Sequence, residues 1–416
     1  MKPTITIIGA GISGLSAAVN LHQKGYKIQI LEATDRAGGR IKTDIIDGFR
    51  LDRGFQVILT EYPETKSLLD YKKLNLKRFL PGATVLYDKG QFEIADPFRR
   101  PTATFSTLFA PVGSLKDKIN TLFLKNKLVK ITFPELFKQP EIETIAQLEK
   151  YGFSPKMIDR FYKPFFSGIF LENDLKTSSN MFDFVMKMFS KGDAAIPELG
   201  MEEIPKQLVA MLPANSIQYN LKVSAIENNK VICEDGTTID ADKIIIATEA
   251  IGLASNYISK TKQKFHQVTN VYFEAKIAPT KKAVVVLNAS TDKKWVNNLT
   301  VMSNVSNKYA PAGKVLISIS YNGIPAIDDA TLAENMKTEL KKWYGNHVED
   351  WKLLKTYRIK YALPNQEKVA NEVPDSEIKI NDNLFICGDH LLNGSINAAM
   401  KSGRVVAELI DDSFGV

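Results

Sequence analysis

Thr4 to Ile8 is a short β-branched run that stops at a glycine, and Gly9-Ala10-Gly11-Ile12-Ser13-Gly14 follows it at once. From Ile12 to Gln23 the apolar spacing is helical, and Lys27 to Leu31 reads as a second strand that ends on Glu32. Strand, glycine turn, helix and strand make a βαβ unit, whose parallel strands demand a crossover helix and a sheet covered on both faces. Within GxGxxG, Gly9 allows the tight turn, Gly11 lets backbone approach a pyrophosphate, and Gly14 lets helix and strand pack closely. The helix start at Ile12 and Ser13 offers free N–H groups to phosphate oxygens. Glu32 lies 18 residues beyond Gly14, at a strand end, where a carboxylate can accept both ribose hydroxyls of an adenosine. A dinucleotide site is therefore expected. The same glycines interrupt the apolar stretch from Lys2 to Val19, which is read as strand and helix and not as a leader peptide.

At 416 residues the chain is too long for one ordinary core, and its 44% hydrophobic and 24% charged composition is that of a globular protein, not a disordered or collagen-like one. No apolar run approaches the roughly 20 residues that cross a bilayer. Cys233 and Cys387 cannot build a disulfide framework, and no Cys/His grouping suggests a metal, so a metal-free protein in a reducing, cytoplasmic setting is expected. From about Tyr62 to Gly200 the pattern reads as helical, rich in Phe and Lys and broken by prolines. Strand signals return at Val223 to Glu227, Val231 to Glu234, Thr237 to Asp240 and Lys243 to Ala247, and are expected to rejoin the first sheet. Alternating segments between Thr269 and Tyr321 suit a mixed sheet, a helix follows near Leu332 to Tyr344, and a last strand (Leu384 to Cys387) precedes a final helix from Ser395 to Ile410. This predicts an α/β chain. Residues 1–60, 200–260 and 380–416 form a nucleotide-binding domain, interleaved with an α+β substrate-binding domain of residues 61–199 and 261–379.

After Glu32-Ala33 come Arg36-Ala37-Gly38-Gly39-Arg40 and then Asp52-Arg53-Gly54-Phe55-Gln56. Pro197 to Met201, Asn220 to Ile226 and Ile244 to Thr248 follow in order, and the chain closes with Phe385-Ile-Cys-Gly388-Asp389 and Gly394-Ser395-Ile396-Asn-Ala398-Ala399. Together these resemble the flavin-containing amine oxidase and phytoene desaturase superfamily, which includes protoporphyrinogen oxidase-like proteins. The resemblance implies a Rossmann-like FAD-binding domain and an FAD-dependent oxidoreductase with its FAD held non-covalently. It implies that Gly38, Gly39 and Arg40, with Ala33 and Arg36 leading in, run beside the flavin pyrophosphate, where two glycines allow close contact and a guanidinium can pair with phosphate. It further implies cofactor contacts from Gly54, Phe55 and Gln56, adenine contact through the backbone of Val223, and a strand end at Thr248. Asp389, after Gly388, would bond the ribityl chain. Ser395, Ile396 and Ala398 would aim N–H groups at the flavin edge that gains negative charge on reduction.

Amine oxidases of that superfamily frame the substrate with two aromatic side chains. Here the loop His390-Leu-Leu-Asn393 carries none, which leaves Tyr361 as the candidate aromatic wall and His390 as the one histidine beside the flavin. The ring-rich segment Phe161 to Phe189, with Phe166 at its centre, either lines a cavity for a bulky apolar substrate or forms a helical core. No motif names an acid–base pair, and flavin oxidation needs little from side chains beyond positioning and exclusion of water. The expected activity is removal of hydride from a C–C or C–N bond of a small, bulky, largely apolar substrate. A non-redox isomerase or mutase using reduced FAD is the alternative. A flavin-free prenyl-protein escort of the same fold is a third, against which the intact glycines, Glu32 and Arg40 argue. The net charge of +7 is concentrated: residues 66–130 hold 13 basic and 5 acidic side chains. Within them Leu115, Ile119, Leu122 and Phe123 mark one side of a basic helix, so peripheral contact with an anionic membrane face is expected through this stretch, and nucleic acid is not.

Overall fold

The protein is described by a computed structural model over residues 2–414, so Met1 and residues 415–416 of the expected nucleotide-binding domain lie outside the described residues. Thr4–Ile8 is the central strand of a five-stranded parallel sheet, in the order 217–218, 27–31, 4–8, 243–246, 384–386. Ile5, Ile7, Ile30, Ile245 and Ile386 are fully buried, the continuous apolar pattern of a sheet covered on both faces. The opening helix Ile12–Gln23 and both flanking strands have the expected bounds.

That helix is buried along most of its length because it lies between the sheet and the closing helix Ile396–Asp412. A Cβ on Gly14 would stand 2.2 Å from the Gly9 carbonyl oxygen, and one on Gly403 would stand 2.2 Å from that of Ser13. Hydrogen at these two positions is what lets three layers of backbone touch. Ser16 Oγ then donates to the Met400 carbonyl at 2.8 Å.

A second sheet has seven strands, in the order 352–364, 265–275, 315–322, 298–301, 285–288, 82–87, 90–95. Its last two strands correct the helical reading of residues 62–200. Gly82–Tyr87 and Gly90–Ala95 form a hairpin, and Ala83 and Val85 are buried by parallel pairing with Val285–Asn288, far along the chain. The segment around Val223–Glu227 also differs from expectation. It makes a separate antiparallel sheet with Lys230–Cys233 and Thr238–Asp240, and 217–218 and 243–246 rejoin the parallel sheet without it. The expected helix near Leu332 is present as Asp329–Tyr344, and Leu332, Met336 and Leu340 bury its inner side against the second sheet.

A helical layer includes Leu115–Lys130, Lys163–Phe170 and Ser179–Lys191, of which Lys163–Phe170 touches strands 285–288 and 315–322 of the second sheet. Tyr162, Phe166, Phe170 and Phe182 are fully buried in one ring cluster, with Phe166 and Phe182 centroids 4.6 Å apart. Phe166 thus sits in packed core. Lys187, also buried, donates its Nζ to the carbonyls of Leu128, Val129 and Ile131, capping the C-terminus of the basic helix where its dipole is negative. Among the described residues no helix is long and apolar enough to cross a membrane, and no cluster of metal-ligating side chains occurs.

Replacing a helical glycine by alanine ordinarily stabilises a helix by about 1 kcal/mol. At Gly403 the added methyl must push against Ser13 and Ala17, so Gly403→Ala is expected to destabilise the protein by about 1–3 kcal/mol in urea unfolding.

Candidate functional site

The parallel sheet directs four strand ends to one edge. Gly9, Glu32, Ala247 and Cys387 each follow directly on a strand there, the position at which open α/β sheets bind ligands. Gly9 adopts φ +106°, and a Cβ on it would meet the Ala247 carbonyl at 2.9 Å. Gly11 is different: a Cβ there would meet nothing within 4 Å, so its bare backbone faces open space. Gly11 also caps the opening helix without any side-chain hydrogen bond, which leaves first-turn N–H groups at Ile12 and Ser13 for an outside acceptor. The second glycine turn closes on the first. Gly38 N donates to the Ala10 carbonyl at 2.8 Å, and Gly39, at φ +60°, brings its Cβ position within 3.2 Å of Gly11 Cα.

At one end of this cradle is Glu32, buried, accepting from Ala10 N at 2.8 Å and from Thr34 N and Oγ1 at 3.0 and 2.6 Å. Residues 220–221 run alongside, since Asn220 N donates to Thr34 O and Leu221 N to Glu32 O, and this brings Val223 to the same end. Ala33 follows Glu32 on the rim and is exposed. Arg36 does not present a free guanidinium: it is paired with Asp44 at 2.5 Å, Glu202 at 3.0 Å and Asp35 at 3.4 Å. Thr248 closes the inner strand beside Gly9.

At the other end Arg40 reaches Asp389, 2.6 Å from its Oδ1, and donates to the Ala362 carbonyl at 3.2 Å. Burial by itself would lower the Arg40 pKa, but the Asp389 charge and hydrogen bond, with Glu249 beyond, carry it above its ordinary value. Gln56 donates to the Arg40 carbonyl at 3.1 Å, and its own buried Oε1 has no partner among the described residues. Gly388 N donates to Ser402 Oγ on the closing helix, and Ser395 caps that helix by accepting from Ala398 N at 3.0 Å, just before Ile396. His390 is buried against Gly388, whose Cβ would fall 2.1 Å from the imidazole.

The long strand Lys352–Pro364 of the second sheet crosses this end. Its pairing with Phe265–Ala275 slips between Ile359 and Leu363, a bulge of the kind that re-aims backbone beside functional sites. Ile359 packs on Gly54 and Leu363 on Gly394, so the wall there is aliphatic. Tyr361 lies between them, edge-on to Phe265 at 5.7 Å, and Phe55 stacks edge-on with Phe79. Phe166, in the ring cluster, is not among the residues that these contacts bring together.

Two groups, Lys42 and Gln366, carried no sequence signal, and a third, Asp52, stood in the sequence only as the first residue of the segment that ends at Gln56. Lys42 is buried, with Nζ 2.8 Å from Thr34 Oγ1, and burial pushes its pKa down despite the Glu32 charge. Gln366 accepts from Gly394 N at 2.7 Å, tying the loop after the bulged strand to the start of the closing helix. Asp52, buried just before Arg53-Gly54, accepts from Thr43 Oγ1, Met201 N and Tyr309 OH at 2.6–2.9 Å, and Tyr272 OH donates to its carbonyl.

Burial pushes the Asp52 carboxyl up to about 6, against the pull of those hydrogen bonds. The folded state therefore holds this proton more tightly than the unfolded chain. The contribution of Asp52 to stability is greatest below about pH 4 and is lost as pH rises through about 6. The Asp52→Asn variant, which cannot ionise, should gain stability relative to the wild type between about pH 4 and pH 7 in denaturant titrations. Parallel curves would contradict the placement.

A pyrophosphate-bridged dinucleotide fits these residues: open space over Gly11, a helix start without a side-chain cap, a buried carboxylate on Glu32 at the end of the second strand, and a Gln56 acceptor with no partner among the described residues. The family model for flavin containing amine oxidoreductases matches residues 12–411. Protoporphyrinogen oxidase 2 of Arabidopsis thaliana is 26% identical over 166 residues, 39% of this chain and 32% of that one. A 1-hydroxycarotenoid 3,4-desaturase of a Flavobacterium is 46% identical over 54 residues, 13% of this chain and 11% of that one. The chain thus aligns with a third or less of the length of these curated relatives. The fold is that of cyclohexylamine oxidase from Brevibacterium oxydans, with a TM-score of 0.71 at 13% identity over the whole of both chains. On the extent of the family match, the chain belongs to the flavin-containing amine oxidoreductases, a family whose cofactor here is FAD.

Proposed function

We propose that this protein is an FAD-dependent oxidoreductase that takes hydride from a C–C or C–N bond of a small, bulky, largely apolar substrate. Residues 1–60, 200–260 and 380–416 would form the FAD-binding domain, and residues 61–199 and 261–379 the substrate-binding domain. The observation that carries the substrate class is the aliphatic wall where the second sheet meets the cradle. Ile359 and Leu363 pack there, Leu391 and Leu392 follow Asp389, and the Asp389 carboxylate is already neutralised by Arg40. A cationic amine would find that charge taken. Relatives named for protoporphyrinogen and carotenoid chemistry agree with a bulky apolar substrate.

Bound flavin supplies a hydride acceptor. The chain's own residues hold and shield it. Glu32 accepts the ribose hydroxyls, with Val223 beside the adenine. First-turn N–H groups at Ile12 and Ser13, over bare Gly11, Gly38 and Gly39, take the pyrophosphate charge. Arg40, Gln56 and Asp389 hold the ribityl side, and the capped start at Ser395, Ile396 and Ala398 places its N–H groups and dipole where charge develops. Tyr361 and His390 border the substrate. Attachment through sulfur is disfavoured, since Cys387, directly after the last strand, is fully buried and burial pushes its thiol up to about 12. Peripheral membrane contact through residues 66–130 belongs to the same proposal, because a bulky apolar substrate partitions into bilayers.

The purified protein should show flavin absorbance or take up added FAD, and failure of both overturns the reading. Anaerobic bleaching by a polyene or a porphyrinogen, and not by simple amines, is the expected substrate result; bleaching by an alkylamine would reverse the substrate class. Gly11→Ala, whose Cβ would enter the open space with no protein atom within 4 Å, should weaken FAD binding at least about tenfold by fluorescence titration while the apoprotein melts normally.

A further inference from the structure

The basic helix Leu115–Lys130 packs with an inverted face. Asp117, Leu124 and Leu128 are buried, whereas Leu115, Ile119 and Phe123, spaced four apart along one stripe, point away from the protein. Two lysines on its flank fix further apolar groups beside this stripe. Lys118 Nζ donates to the carbonyls of Leu108 and Ala110, seating the short helix Thr104–Phe109, and Lys125 pairs with Asp96, seating the loop that carries Phe98. Phe98, Phe105, Phe109 and Phe123 are 75%, 75%, 78% and 69% exposed. Four exposed phenylalanines within 26 residues form a patch of the kind that marks an interaction surface.

The charge around the patch says what covers it. Every acid between residues 89 and 130 is already engaged: Glu93 by Arg100 and Lys282, Asp96 by Lys125, and Asp117 by the Ser114 cap and Ser154. Lys116 and Lys130, beside the apolar stripe, form no ion pair among the described residues, whereas Lys127 lies over the Tyr151 ring and toward Asp183. An isologous dimer through this face would set these lysines against their own copies, so a second chain is a poor occupant. An anionic lipid surface satisfies both halves of the pattern, because rings insert at the headgroup level and lysines meet phosphate.

We infer that the surface formed by Phe98, Phe105, Phe109, Leu115, Ile119 and Phe123 docks this protein on an anionic bilayer, with Lys116 and Lys130 at the headgroups. The inference rests on the apolar-substrate reading for its purpose, not for its geometry. On the inner side of the same helix Thr121 Oγ1 meets the Tyr162 hydroxyl at 3.0 Å, so the docked face backs directly onto the buried ring cluster.

The full-length holoprotein should co-sediment with phosphatidylcholine vesicles containing about 30 mol% phosphatidylserine, and about tenfold less with phosphatidylcholine alone or in about 0.5 M salt. A Phe105→Ser/Phe109→Ser/Phe123→Ser variant and a Lys116→Glu/Lys130→Glu variant should each lose at least about tenfold in vesicle affinity, with flavin absorbance and melting temperature unchanged. Unaltered binding in both variants, no binding to any vesicle, or a self-association that the phenylalanine variant abolishes overturns the inference. Flavin-loaded protein that ignores vesicles sinks the docking surface alone; protein that binds vesicles but never takes up flavin sinks the cofactor reading alone.

Discussion

The opening helix can touch the sheet below it and the closing helix above it only because hydrogen stands where a side chain would be at Gly14 and Gly403. This contact joins the two ends of the chain. The strand that carries Gly9, the strand that ends at Ala247 and the helix that carries Gly403 come from three distant segments, and a methyl group at either close approach would force them apart. With the layers in contact, the strand ends carrying Gly9, Glu32, Thr248 and Asp389 share one edge. The cradle is a consequence of that packing and not a loop added to it.

A second set of contacts holds the seven-stranded sheet to the cradle, and it is polar. Tyr272 and Tyr309 send their hydroxyls to Asp52, Tyr357 sends its hydroxyl to Asp44, and Arg40 reaches the Ala362 carbonyl on the bulged strand. Burying Asp52 is costly, and the carboxyl is tolerated because three donors surround it. Directional bonds of this kind set the distance between the aliphatic wall and the glycine turns more sharply than apolar contact could. The same logic explains Arg36. Its guanidinium serves Asp44 and Glu202, which stabilises the hairpin 43–52, and is thereby removed from the phosphate side.

Much of the glycine cradle was legible in the sequence because its signals are local. A glycine that must adopt positive φ, a helix that must start without a cap and an acid at the end of the second strand all fall within 32 residues of one another. The hairpin at 82–95 was not legible, because its apolar residues are satisfied by Val285–Asn288, a partner no local window contains. Lys42 and Gln366 were missed for a similar reason, since each draws its role from neighbours that folding supplies.

The basic helix shows the division most clearly. Its amphipathic spacing identified an apolar side of Leu115, Ile119, Leu122 and Phe123 on a basic helix, through which membrane contact is expected. In the tertiary structure Leu115, Ile119 and Phe123 are exposed and Leu122 is half-buried, since Asp117, held by Ser114 and Ser154, and Lys187 at the far end clamp the opposite side to the protein. By itself, then, the sequence determined the nucleotide-binding unit, the order of the flavin-family motifs and where positive charge gathers along the chain. Only the tertiary structure decided that Phe166 is core, that Arg40 meets Asp389 and that the phenylalanines of residues 98–123 face solvent. Local conformation follows from neighbouring residues, whereas burial and direction are set by partners hundreds of positions away.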